Sequence, residues 1–268
     1  MTEANSFRQA RAFARRGLSV RSYLQWTENQ VGSEEQYWDK VFELAGLAGV
    51  ARRSFWQEHL EELRLGDRKA WEIFWREERK LLSPIKRVFS SQLKFVRRGH
   101  LLVVEPGCGP GQLTTQLMPP VLALGGEYLA SDRSAWAVSQ TRSRLEGQGL
   151  RYETGRVIQA SASDFQRVLL KYHPIGPMTV IVVLVRFVHH LTNDPAWKSF
   201  MSQVGRVAER VLLAETVRDR LPAGRPENRG TKFRYIDEVG RALSMEARKV
   251  LWCKNHGDNI AVVDFAKF

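Results

Sequence analysis

Three carboxylates and a pair of histidines fall at or just past the ends of short apolar runs. The densest of these places is "VVEPGCGPGQLT", Val103 to Thr114, where Glu105 closes the run and Gly107, Gly109 and Gly111 follow on alternate positions. Glycines after a strand let the backbone turn sharply and leave no Cβ to block a ligand at the carboxyl end of a parallel sheet. A phosphate loop is excluded because no lysine follows the turn. A dinucleotide fingerprint is excluded because Gln112 stands where its third glycine would be. Glu105 adds a charge argument: a carboxylate beside the turn repels a pyrophosphate and attracts a cation. S-adenosylmethionine, with an ammonium and a sulfonium, meets that requirement.

The remaining candidates line the same edge. "YLASDRS" ends in Asp132, suited to accept hydrogen bonds from a diol, and "SASDF" places Asp164 beside Phe165. "VLVRFVHHL" carries Arg186 and then His189 and His190 out of a further run. Adjacent residues on an extended chain point oppositely, so the two histidines cannot both face one substrate or ligate one metal. One of them has the chemistry of a general base near neutral pH; a purely structural cap on the strand end is the competing reading. Arg186 can meet the cofactor or an anionic acceptor, and Glu215, after "VLLA", reaches the same rim or serves its loop. Cys108, inside the glycine turn, reads as a small packing residue.

The elements that must position these groups follow from the pattern around them. From Leu101 onward, "LLVVE", "EYLASD", "YETGRVIQA", "MTVIVVLV" and "RVLLAET" read as buried strands separated by helical stretches, and the chain closes as two strands around "NHGDN". Alternating strand and helix predicts an α/β, doubly wound, Rossmann-like sheet of seven mostly parallel strands, and the closing hairpin makes the last strand antiparallel. Residues 99–268 form this domain. Residues 1–98 read as an N-terminal α-helical extension that covers the cleft or binds the acceptor. Its helices include Ser33–Gly46 and Ser54–Gly66, each with a capping-box start, then a stretch bearing Trp71, Phe74 and Trp75, and a last helix from Pro84 to Gly99.

With these residues placed, the chain resembles the class I S-adenosylmethionine-dependent methyltransferases over residues 100–268. The likeness rests on "VVEPGCGPGQLT" as the first motif, Asp132 at the next strand end, Asp164–Phe165 after the third strand, and "VLVRFVHHL" at the exit of the fourth. It implies S-adenosylmethionine as cofactor, Asp132 on the ribose hydroxyls, Asp164 on the adenine amine with Phe165 as its apolar neighbour, and methyl transfer as the reaction. Two positions depart from the family. Thr179 stands where the fourth strand commonly begins with Asp, and "VRFV" is not the signature of the branch that methylates exocyclic amines of bases.

Composition bounds the acceptor and the compartment. The chain has 268 residues, 43% hydrophobic, with two distant cysteines and a formal net charge of +12. No apolar run approaches the roughly 18 residues that span a bilayer, and no cysteine pair suggests zinc or a disulfide scaffold. A reducing, cytoplasmic setting is the default. The Arg-rich N-terminus also has the character of a mitochondrial import segment, against which Glu3 counts. Two basic stretches, Arg79–Arg98 and Arg218–Tyr235, were they to flank one cleft mouth, would favour an anionic acceptor. Three functions follow. One is a methyltransferase acting on N, O or C of a small or medium anionic molecule, and another is an RNA methyltransferase. The third is a non-catalytic RNA- or protein-binding module that kept the fold, against which the complete cofactor set speaks.

Overall fold

The computed structural model describes residues 67–97, 99–109, 111–150, 155–172, 178–188, 191, 193–221, 232–255 and 258–267. The helices expected over Ser33–Gly46 and Ser54–Gly66 lie outside the described residues. So do His189, His190 and most of the Pro/Gly-rich part of the second basic stretch.

In chain order the elements are α1 (Asp67–Leu93), β1 (Leu101–Pro106), α2 (Thr114–Ala123), β2 (Glu127–Asp132), α3 (Ala135–Gly147), β3 (Gly155–Gln159), α4 (Phe165–Tyr172), β4 (Thr179–Val185), α5 (Asp194–Val207), β5 (Arg210–Thr216), α6 (Ile236–Leu243), β6 (Glu246–Asn255) and β7 (Asp258–Ala266). Short 3₁₀ turns at Ala162–Asp164 and Arg218–Arg220 complete the order. The strands form one seven-stranded sheet, β3-β2-β1-β4-β5-β7-β6. β1 to β5 pair in parallel, and β7 runs antiparallel to both β5 and β6. This is the expected doubly wound sheet with its reversed strand. The direction of winding changes beside β1, where β2 lies on one side and β4 on the other. Ligands of such sheets bind at that point.

Strand alternation sorts the core into two layers. Val180, Val182 and Leu184 of β4 face α4, α5 and α6, with Phe165, Trp197, Phe200, Met201 and Leu243 packed on them. Ile181 and Val183 face the other way, toward Leu81, Ile85, Val88 and Phe89 of α1 and Leu117, Met118 and Val121 of α2. Both faces are covered, so the central strands read as unbroken apolar runs.

One expectation is corrected. No new helix starts at Pro84, and no helix reaches Gly99; α1 runs through the proline and ends at Leu93. The apolar residues keep helical spacing across it, and Leu81, Ile85, Val88 and Phe89 are all buried. Burial of that continuous face outweighs the single i→i−4 hydrogen bond that a proline removes.

Contacts divide the chain into two compact units. Glu77–Arg133 with Val138–Phe268 contains the whole sheet. In the other, Met1–Arg76 with Ser134–Ala137, the described residues are the first turns of α1 and the start of α3, where the Ala137 amide donates to Ser134 Oγ at 3.1 Å. Among the described residues no helix is long and apolar enough to cross a membrane.

Candidate functional site

The turn after β1 is built by what surrounds it. Gly107 has φ +70°, and a Cβ there would lie 2.3 Å from Cδ2 of Phe187, whose ring fills the space from the β4 exit. A Cβ on Gly111 would meet Thr141 of α3 at 2.7 Å. Gly109 differs: among the described residues nothing beyond its chain neighbours lies within 4 Å of its Cβ position. Packing among the described residues therefore requires glycine at two of the three positions and leaves the place beside the middle one unfilled.

Hydrogen bonds fix the turn to β2 and α3. Cys108 N donates to Ser131 O at 2.9 Å, Gly109 N to Asp132 Oδ2 at 2.9 Å, and Thr141 Oγ1 to Gly109 O at 2.8 Å. Cys108 is buried, which pushes its thiol well above the ordinary range, so it packs and does not attack.

Glu105 lies beneath the turn, 3% exposed. Thr114 Oγ1 and Tyr128 OH both donate to its Oε2, at 2.7 and 2.8 Å. Burial pushes this carboxyl up to about 7. The two hydroxyls pull the other way, and the neighbouring Asp132 charge adds to the rise. Glu105 and Asp132 are thus joined through one short turn on adjacent strands.

Asp164 follows β3, whose last residue, Gln159, pairs in register with Asp132. Its Oδ2 accepts from Ser161 Oγ at 2.8 Å and Ser161 N at 3.3 Å, and its Oδ1 from Arg167 Nη2 at 2.8 Å. The Ser161 hydroxyl is the largest cause holding this carboxyl below its ordinary value. Phe165 turns the other way, into the core, edge-on to Phe200 with ring centroids 5.3 Å apart.

On the far side of β1 the β4 exit is held at three points. Arg186 N donates to Ala214 O at 2.9 Å, Phe187 packs on Gly107 and edge-on to Phe200, and Val188 N donates to Glu215 Oε2 at 3.0 Å. Glu215 Oε1 also accepts from Thr216 N at 3.0 Å, so this buried carboxylate fastens the exit to β5. Arg186 has φ +49°, uncommon for a residue with a Cβ, and such strain collects at ligand sites. Its charge reaches the half-buried Cys253 of β6.

Sequence reasoning missed Tyr128 and Thr114. Tyr128 was legible only as a strand residue; that it shares a face with Glu105 follows from the β1–β2 register, in which Ala130 is opposite Glu105. The second basic stretch is also partly accounted for. Lys232 Nζ and Arg234 Nη2 both donate to Asp194, each with a shortest distance of 2.6 Å. Arg234 lies over the Trp197 ring at 4.6 Å, and Arg220 over Trp252 at 4.2 Å. These cations hold structure together.

No protein-family model and no curated protein sequence matches the chain. Solved structures do. Magnesium protoporphyrin IX methyltransferase (ChlM) from Synechocystis PCC 6803 with bound SAH superposes with a TM-score of 0.53 at 13% identity, covering 82% of this chain and 99% of that one. The same protein with bound SAM gives 0.50 at 15% identity, covering 70% and 79%. The fold is that of the class I S-adenosylmethionine-dependent methyltransferases.

Proposed function

We propose that this chain is an S-adenosylmethionine-dependent methyltransferase that alkylates a nitrogen, oxygen or carbon of a small or medium anionic acceptor. The observation that carries this reading is that, among the described residues, nothing beyond its chain neighbours lies within 4 Å of a Cβ on Gly109, whose amide donates to Asp132 in the turn that follows Glu105 at the switch point of the sheet. The groups present suit the cofactor: a carboxylate for an ammonium, another for a ribose diol, and a backbone without Cβ between them.

When bound, the cofactor supplies a methyl group activated by a sulfonium. The protein's part is placement and proton removal. Asp132 takes the ribose hydroxyls, Asp164 the adenine amine, and Arg186 a carboxylate of cofactor or acceptor. His189 or His190 takes the acceptor's proton. Glu215, fixed to Val188, anchors the segment from which they extend.

RNA as acceptor is the second reading, supported by the net charge of +12. Exposed Arg87, Lys94 and Arg97 are its candidate phosphate-binding groups. The paired Lys232 and Arg234 contribute less. The test is incubation with methyl-labelled cofactor against total RNA and a metabolite extract in parallel. Label in a small anionic product supports the first reading, and label in RNA the second. Tight cofactor binding with label in neither fraction supports a non-catalytic module.

A further inference from the structure

Tyr128 is a polar side chain within the core layer beneath the glycine turn. It is 1% exposed, yet its hydroxyl ends on a carboxylate beneath the glycine turn, 2.8 Å from Glu105 Oε2. Thr114, at the first position of α2 and fully buried, donates to the same oxygen at 2.7 Å. Two hydroxyls from two elements converge on one oxygen, and the second oxygen carries neither bond. A tyrosine at that place in an apolar layer is costly unless its hydroxyl is satisfied, and a buried carboxylate is costlier still. The two donated hydrogen bonds favour the ionised carboxylate, against the burial that disfavours it.

We infer that Tyr128 is a positioning residue for the ammonium group of the cofactor, acting through Glu105: with Thr114 it holds the carboxylate in place and eases its ionisation, so that cofactor binding is coupled to loss of a proton from Glu105. The inference rests on the proposed cofactor.

The surroundings define the coupling. Burial outweighs the two donated hydrogen bonds and leaves Glu105 near 7 before any ligand arrives. Among the described groups whose charge acts on it, Asp132 of β2 disfavours its ionisation. Cys108 of the turn and Tyr128 of β2 are both pushed up by burial and stay protonated through the neutral range. An ammonium at the turn opposes the Asp132 charge and favours the ionised form. Binding below about pH 7 therefore releases a proton, and affinity weakens as pH falls. Removing one hydrogen bond to the ionised form shifts the midpoint upward, by roughly a unit.

The test is calorimetric titration of the full chain with S-adenosylhomocysteine at pH 5.5 to 8, in buffers of different ionisation enthalpy. The wild-type Kd is expected to rise about tenfold per pH unit below 7, with proton release. Tyr128→Phe should bind about tenfold more weakly than wild type at pH 6, narrowing to about twofold at pH 8. A tyrosine serving only as packing would lower affinity equally at every pH. Glu105→Gln gives the reference profile for all other titrating groups, those of the ligand included. Thr114→Val should move the midpoint in the same direction, and carries the test if Tyr128→Phe does not fold. A Tyr128→Phe or Thr114→Val profile that superimposes on the wild type overturns the inference while leaving the cofactor assignment intact. Absence of binding by the wild type at every pH overturns both.

Discussion

The backbone amide of Gly109 donates to Oδ2 of Asp132 at 2.9 Å, so the residue assigned to the ribose also shapes the turn beside it. A carboxylate oxygen has lone pairs for both duties. Asp132→Ala should remove the ribose hydrogen bonds and the order of the turn together, weakening S-adenosylhomocysteine binding by roughly 1–3 kcal/mol in calorimetry. Unchanged affinity would place the ribose elsewhere.

Gly107 and Phe187 are predicted to be coupled. Gly107→Ala meets the Phe187 ring and also holds a left-handed backbone, which alone costs roughly 1–2 kcal/mol. Phe187→Ala removes the ring and not the backbone strain. In urea unfolding, the double variant should be more stable than the sum of the single losses by roughly 0.5–3 kcal/mol. Simple additivity would mean the turn moves away from the ring.

Glu105 makes stability depend on pH. Its carboxyl is raised from an ordinary value of 4.5 to about 7 in the fold, so its contribution is fully present below about pH 4.5 and lost as pH rises through about 7. Glu105→Gln removes this component. Between pH 5 and pH 8 the wild type should therefore lose roughly 2–3 kcal/mol more than the variant in chemical denaturation. Parallel stability curves would show that the group is ionised at its ordinary pH.

What could be read from the residues alone was local. The β1 turn, Asp132 and the closing hairpin each announce themselves by period, glycine spacing or a strand end, and the mostly parallel sheet follows from strand–helix alternation. What escaped depended on register and on distant partners. Nothing near Gly107 in the chain shows that Phe187 lies over it, and nothing near Glu105 shows that Tyr128 reaches it. Pro84 misled because a local helix breaker was weighed without the buried face that carries the helix past it. Lys232 and Arg234 looked like free charge because Asp194, their partner, starts α5, far back in the chain.

RNA binding, if it occurs, should show its origin in salt dependence. Replacing Arg87, Lys94 and Arg97 by glutamine should reduce the slope of log K against log salt by about 0.7–0.9 for each phosphate that is no longer neutralised. Total RNA titrated across a salt series distinguishes the cases. Binding indifferent to salt and to the substitutions excludes the RNA reading.

The carboxylate-flanked glycine turn at the switch point of the sheet should receive a cationic adenosyl ligand. Calorimetric titration of the wild-type chain at pH 8 with S-adenosylmethionine and, separately, with NAD tests it most directly. Saturable binding of S-adenosylmethionine at one site is predicted, with markedly weaker binding of NAD, whose pyrophosphate meets Glu105 and Asp132. Tighter binding of NAD, or no binding of S-adenosylmethionine, would contradict it.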